Sequence, residues 1–172
     1  DCQYHFRIKS TDYVDLLIDN SDYDEFNENL YSSDPLNFSI PKKYTEQIDK
    51  AKKKTNKNDA VITLQGKIFG ENVILGVMDF SFIGGSMGSV VGQKISDAIV
   101  RADNSSLPLI IVAASGGARM QEGVISLMQL AKISTKLAKF SDNGGLYIVI
   151  LTAPTTGGIS ASFGMQGDII LA

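Results

Sequence analysis

A chain of 172 residues with 44% hydrophobic content has enough apolar mass for one ordinary core and not for two. A formal charge of −3 argues against a general nucleic-acid binder, and the single cysteine, Cys2, excludes an internal disulfide and points to a reducing compartment. No apolar run approaches a membrane span: Leu107 to Ala114 is the longest and carries Pro108. The chain opens on Asp1-Cys2 without an initiator methionine or signal peptide, and it stops inside an apparent strand. It therefore reads as a piece of a longer protein.

Residues from Asp1 to about Thr55 are polar and mixed. Thr11 to Ile18 is expected to form a short helix with Tyr13, Leu16 and Leu17 inward, and Pro35 and Pro41 punctuate the stretch after it. Tyr44 to Lys54 reads as a lysine-rich helix ended by Thr55-Asn56-Lys57-Asn58. Its lysines read first as a solvated face, with contact to nucleic acid or an acidic ligand as the other reading. From Ala60 the composition changes. Val61 to Leu64 and Lys67 to Phe69 read as strand, Gly70-Glu71-Asn72 as a tight turn, and Val73 to Phe82 as the returning strand.

Ser86 to Arg101 is helix-like, with Val90, Val91, Ile95, Ala98 and Ile99 on one stripe. Leu109 to Ala114 has the continuous apolar character of a strand buried on both faces. Ala118 to Lys139 reads as an amphipathic helix whose inward positions are Met120, Val124, Leu127, Met128, Ala131 and Leu137, the methionines serving as core filler. Leu146 to Thr152 is the next strand, Gly158 to Met165 a short helix, and Ile169 to Ala172 another strand. Strand, glycine knot and helix recur three times, which predicts an α/β layered fold with mostly parallel central strands and the knots gathered at one end of the sheet.

The knots are Ile83-Gly84-Gly85-Ser86-Met87-Gly88, Ser115-Gly116-Gly117-Ala118-Arg119 and Pro154-Thr155-Thr156-Gly157-Gly158. Gly84 to Gly88 satisfies the G-x-S-x-G pattern of a hydrolase elbow, but a nucleophilic Ser86 needs a base, and the only histidine, His5, precedes it. The plainer reading is that Ser86 caps its helix. No knot ends in Gly-Lys-Ser/Thr or carries a G-x-G-x-x-G spacing, so nucleotide phosphate cradling is weakly supported. Paired carboxylates are not visible either; Glu122 stands alone and reads as a surface or capping group. What remains is oxyanion stabilisation by main-chain amides. Gly157-Gly158 at a helix start can aim two adjacent N–H groups at one oxygen, and Gly116-Gly117 can do the same or line an acyl or coenzyme A pocket.

The segments from Gly84 to Gly92, from Ala114 to Glu122, from Ser126 to Gln129 and from Pro154 to Gly158 closely resemble the carboxyltransferase β subunit of multisubunit acetyl-CoA carboxylase. The likeness covers nearly the whole chain. Asp79-Phe80, Gly123 after Glu122 and the asparagine- and lysine-rich filler look most like the plastid-encoded plant form, with a bacterial cytoplasmic origin as the alternative. Ile83 and Gln166 depart from the family's usual residues without touching a knot glycine.

The resemblance implies a crotonase-like fold, a spiral of ββα units with active sites made between two subunits. It also implies transfer of a carboxyl group from carboxybiotin, carried on a separate protein, to acetyl-CoA, giving malonyl-CoA, the first committed step of fatty acid synthesis. In that family the biotin nitrogen takes the methyl proton once CO2 leaves, so a histidine-free site is tolerated. Gly157 and Gly158 match the family's oxyanion-hole pair, expected to hold the thioester enolate oxygen, with the biotin carbonyl as the other candidate. Gly84, Gly85, Gly116 and Gly117, with Ser86, match the lining of the coenzyme A cleft. Arg119 is expected to meet a coenzyme A phosphate or to serve as a structural ion pair.

Implied partners are the carboxyltransferase α subunit, in an α2β2 assembly, the biotin carboxyl carrier protein and biotin carboxylase. Cys2 matches the fourth ligand of an N-terminal zinc ribbon, and His5 reads as neither ligand nor catalyst. The implied divisions are 1–8, a remnant of that ribbon; 9–58, a polar helical lead-in; and 59–172, a crotonase-like core incomplete at its C-terminus. Rival readings are another crotonase-like enzyme, a propionyl-CoA carboxyltransferase or a decarboxylase, and a non-catalytic assembly scaffold.

Overall fold

The structure, a computed structural model, describes residues 7–172, so the readings of Cys2 and His5 fall outside the described residues. A six-stranded sheet runs in simple sequence order. β1 (Tyr23–Glu25), β2 (Val61–Ile68) and β3 (Glu71–Met78) pair antiparallel, and β4 (Leu109–Ser115), β5 (Tyr147–Thr155) and β6 (Ile169–Leu171) continue it in parallel from β3. The long hairpin turns at Phe69-Gly70, because Ile68 pairs with Glu71 and both turn residues have positive φ, 51° and 84°. The turn therefore sits one residue earlier than expected. β1 is too short and polar to stand out as a strand in the sequence.

One sheet face is covered by α3 (Ser89–Ser105) and α4 (Val124–Asp142). The stripe expected on α3 is buried in full, with Val91, Ile95, Ala98 and Ile99 essentially inaccessible. The expected stripe on α4 is wrong except at Leu137. Ser126, Ile133, Leu137 and Phe140 face inward, while Met120, Val124, Leu127 and Met128 are 52–69% exposed. The cause is close helix packing: a side chain at Gly92 of α3 would strike Gln129 of α4, and this contact turns the flank of Ser126, Ile133, Leu137 and Phe140 inward. Met120 lies outside the helix, in a separate 3-10 turn, Met120–Glu122.

The other sheet face is covered in part by α1 (Ser10–Leu17), which inserts Val14 and the adjoining Ile18 against Leu64, Leu75 and Val77. Leu16, expected inward, is 72% exposed. α2 (Tyr44–Thr55) buries Tyr44, Ile48 and Ala51 at helical spacing and ends on Asn56 in the left-handed region. Its Lys50, Lys53 and Lys54 are exposed, as a solvated face requires. Gly158 to Ser162 forms turns rather than a helix, and only Phe163–Met165 is helical, as a single 3-10 turn whose N-cap Ser162 departs from helical φ/ψ.

Only β2-β3-α3 is a complete ββα unit; β4 and β5 each supply one strand before their knot. The three knots follow the C-terminal ends of β3, β4 and β5, gathered as expected at one end of the sheet. Backbone is tied directly to backbone there: Gly116 N–H donates to the Gly84 carbonyl (2.9 Å), Met87 N–H to that of Gly117 (2.9 Å), Arg119 N–H to that of Met87 (2.8 Å) and Thr156 N–H to that of Ser115 (2.9 Å). A Cβ at Gly85, where φ is 62°, would fall deep inside van der Waals contact with the Ala114 carbonyl oxygen. Gly85→Ala is therefore expected to lower stability by roughly 2–4 kcal/mol, read as a reduced urea midpoint, since strain adds to a clash that only backbone movement relieves.

Candidate active site

The chain enters the first knot at Asp79, whose carboxylate accepts from Lys57, Ser10 (2.8 Å) and the Ser81 hydroxyl. Burial by itself raises its pKa, but the hydrogen bonds from Lys57, Ser81 and Ser10 outweigh that and hold it at about 2. A depressed carboxylate stabilises the fold above its ordinary pKa, and that contribution disappears as pH falls from near 4 towards 2. Asp79→Asn is expected to flatten the stability–pH curve in that acid window while leaving its shape near neutrality unchanged, as measured by urea unfolding at stepped pH.

Behind the first two knots lies a buried charge cluster that the sequence reading missed. Arg119 is 0% exposed. Its guanidinium grips Asp59 with two bonds (2.6 and 3.2 Å), donates to the Ser86 carbonyl (2.8 Å), and meets Ser32 (3.1 Å) and Tyr44 (3.0 Å). Glu122, also fully buried, accepts from the Tyr44 hydroxyl (2.6 Å) and from the Ser89 N–H (2.6 Å). These contacts replace the phosphate contact expected of Arg119 and bear out the other expectation, a structural ion pair. Glu122 is a cap after all, but it caps α3 and not a helix of its own.

The cluster also revises the role of Ser86. Its hydroxyl donates to the Ile83 carbonyl (2.7 Å) and accepts from Arg119 (3.2 Å), while α3 begins three residues later, so Ser86 neither caps a helix nor faces a base. Gly88 leaves room for the cluster, since any side chain there would collide with Glu122. Ser32, Tyr44 and Asp59 lie 60 or more residues from Arg119, and only the Glu122-Arg119 spacing gives any local signal.

The amides of the knots are not equivalent. Gly85 N–H is bonded to the Phe82 carbonyl, Gly116 N–H to that of Gly84, and Gly117 N–H to the Ser115 hydroxyl (3.0 Å). The Gly116-Gly117 pair therefore shapes the cleft without offering two donors. Gly84 N–H has no protein acceptor among the described residues, and at Gly157 and Gly158 two adjacent N–H groups both lack one. Their carbonyls are occupied, Gly157 by Ala161 N–H (3.1 Å) and the Ser160 hydroxyl (3.1 Å), Gly158 by the Ser162 hydroxyl. Gly157, with φ 59°, packs against Gly116 and Gly117, so the third knot sits directly against the second.

Among the described residues no group of three or more His, Cys, Asp or Glu is placed to hold a metal. With one cysteine and one histidine in the whole chain, a tetrahedral zinc ribbon does not fit these residues alone. No helix among the described residues is long and apolar enough to cross a membrane.

Removing the central cation tests the brace. Arg119→Met leaves Asp59 and Glu122 buried without compensation, an expected cost of about 3–5 kcal/mol in urea unfolding. Arg119→Lys, a single-point donor in place of a fork, should recover only part of the loss.

Residues 36–170 match the family model described as the carboxyl transferase domain. The chain is 54% identical, over 99% of its length, to the chloroplastic acetyl-coenzyme A carboxylase carboxyl transferase subunit beta of Lemna minor, of which it covers 35%. It is also 54% identical to the acetyl-coenzyme A carboxylase carboxyl transferase subunits beta/alpha of Clostridium tetani, covering 99% of this chain and 29% of that one. The chain thus spans about a third of the length of the curated relatives it matches. Among solved structures, transcarboxylase 12S with methylmalonyl-coenzyme A and methylmalonic acid bound superposes with a TM-score of 0.80 at 27% identity, over 95% of this chain and 29% of that one. The expected crotonase-like fold is thereby confirmed, and the chain belongs to the carboxyl transferase domain family.

Proposed function

We propose that this chain is part of the β subunit of a multisubunit acetyl-CoA carboxylase carboxyltransferase in a plastid stroma, forming malonyl-CoA for fatty acid synthesis. The observation that carries the reading is the pair of adjacent, unpaired amides at Gly157 and Gly158, in a turn whose carbonyls are already occupied. The chloroplastic name of the Lemna minor relative supports the plastid, and the Clostridium tetani relative keeps a bacterial cytoplasm as the alternative.

In this reading the methyl carbon of acetyl-CoA loses a proton and gains a carboxyl group, and negative charge develops on the thioester oxygen. The N–H groups of Gly157 and Gly158 hold that oxygen, stabilising the enolate more than the ground-state carbonyl. Carboxybiotin on a carrier protein supplies the carboxyl group and a basic ureido nitrogen, so no titrating side chain of this chain is required. Gly84, Gly85, Gly116 and Gly117 bring backbone close enough to flank the thioester, and the Arg119 cluster fixes the first two knots from behind.

A carboxyltransferase α subunit completes the site. The exposed strip of Met120, Val124, Leu127 and Met128 begins just beyond Arg119, and such a run beside a site is a seat for another protein surface. That the Clostridium tetani relative is named for both subunits, beta and alpha, supports α as the occupant. Zinc belongs to the reading only through residues beyond this chain.

Two variants at one position separate the amide from the fold. Gly158→Pro deletes the N–H, and in the assembled enzyme kcat is expected to fall roughly 100- to 1,000-fold. Gly158→Ala keeps the N–H and presses only on the end of Leu130, 3.2 Å away, so it should stay within about tenfold of wild type. A folded Gly158→Pro enzyme with undiminished transfer contradicts the proposal.

A further inference from the structure

Three adjoining cavities form a trough that runs past the first knot and up to the others. The first, of about 520 Å³, lies along α2 and is lined by Lys42, Lys50 and Lys54 with Ser81 and Ile83. The second, of about 440 Å³, shares Lys54, Ser81 and Ile83 with it, adds Arg7 and Lys9, and reaches Gly84. The third, of about 540 Å³, shares Arg7, Ile8 and Phe80 with the second and ends on Ala114, Leu151 and Pro154, beside the second and third knots.

Charge is graded along this trough. Lys42, Lys50, Lys54, Arg7 and Lys9 line its outer two-thirds, opposed by Glu46 and by Asp79, whose carboxylate is already bonded to Lys57, Ser10 and Ser81. The inner end is largely apolar. Arg7 stacks over the Phe80 ring at 4.5 Å, placing a cation where the basic stretch meets the apolar one. A ligand complementary to this surface has several negative charges at one end, an uncharged arm, and a small reacting group at the other.

We propose that Lys42, Lys50 and Lys54 of the α2 region bind the 3′-phosphate and diphosphate of the acyl-CoA substrate, whose pantetheine arm follows the trough past Gly84 to the knots. This rests on the carboxyltransferase reading and adds to it the residues that recognise the nucleotide end of the substrate. α2 then has two faces with two tasks: Tyr44 turns inward to the Arg119 cluster, and the lysine face turns outward to phosphate. Lysine suits this role as a mobile point charge, because exposed phosphates need charge more than a fixed fork.

The test compares acetyl-CoA with S-acetylpantetheine, which keeps the thioester and lacks all three phosphates, in the assembled enzyme. The double variant Lys50→Ala/Lys54→Ala is expected to raise KM for acetyl-CoA about tenfold, leave kcat within about twofold, and leave KM for S-acetylpantetheine unchanged. Raising salt should weaken wild-type use of acetyl-CoA more than that of the double variant. Lys136→Ala, on α4 away from the trough, serves as the control. An unchanged KM for acetyl-CoA, or an equal rise for both substrates, overturns the assignment. Loss of binding to a single-stranded oligonucleotide without any change in the acetyl-CoA KM also overturns it and gives the lysines to nucleic acid. If the wild-type enzyme fails to carboxylate acetyl-CoA, the carboxyltransferase reading falls and the phosphate assignment with it; if it succeeds and the variant matches it, only the assignment falls.

Discussion

Parallel strands β3, β4 and β5 end side by side, and at that edge the chain must turn away from the sheet three times in a space where backbone touches backbone. That crowding is the constraint on which the site depends. The Gly85 α-carbon lies so near the Ala114 carbonyl that a methyl group has no place, and Gly157 packs on Gly116 and Gly117 with nothing between them. Hydrogen bonds between knots then occupy the amides of Met87, Gly116, Arg119 and Thr156. Among the glycine pairs of the knots, Gly157-Gly158 is the one whose two adjacent N–H groups both lack a protein acceptor among the described residues, and that pair is what the end of the sheet has to offer an anion.

Electrostatics divides in the same way. The partial positive charge at the start of α3 is the natural place for a substrate anion, yet the Glu122 carboxylate already occupies it through Ser89 N–H. Glu122 is in turn tied to Tyr44 and Arg119, and Arg119 to Asp59. A buried cluster of this kind is weak evidence for stability by itself, because desolvation offsets most of the attraction. Its more specific consequence is geometric: it joins residues 32, 44 and 59 to the back of the first two knots, so the polar stretch before the sheet is part of what holds the cleft.

Much of this was legible in the residues, for reasons that are local. Val90 to Ile99 has the helical period of a helix lying on a sheet, and Leu109 to Ala114 the uniform apolarity of a doubly covered strand, and both behave accordingly. α4 was misread because the periodicity of Met120, Val124, Leu127 and Met128 marks a face to be covered without saying by what; the close approach at Gly92 turns the other flank inward. The turn after Gly158 looks helical because its residues are small, and Ala161 N–H does reach the Gly157 carbonyl as in a helix, but the Ser162 hydroxyl takes the Gly158 carbonyl while Ser162 N–H bonds to Ile159, so the ladder does not continue. The Arg119 cluster was invisible because its members are scattered over 91 positions, from Ser32 to Glu122, and only folding brings them together.

The claim at the centre is that main-chain amides, and no ionisable side chain, receive the charge formed on the substrate. A crystal structure of the assembled enzyme with an acetyl-CoA analogue, its thioester sulfur replaced so that transfer cannot proceed, addresses it most directly. The account predicts the analogue's carbonyl oxygen at about 3 Å from the nitrogens of both Gly157 and Gly158. That oxygen held instead by a side chain, or by amides of another knot, with Gly157 and Gly158 empty, would contradict it.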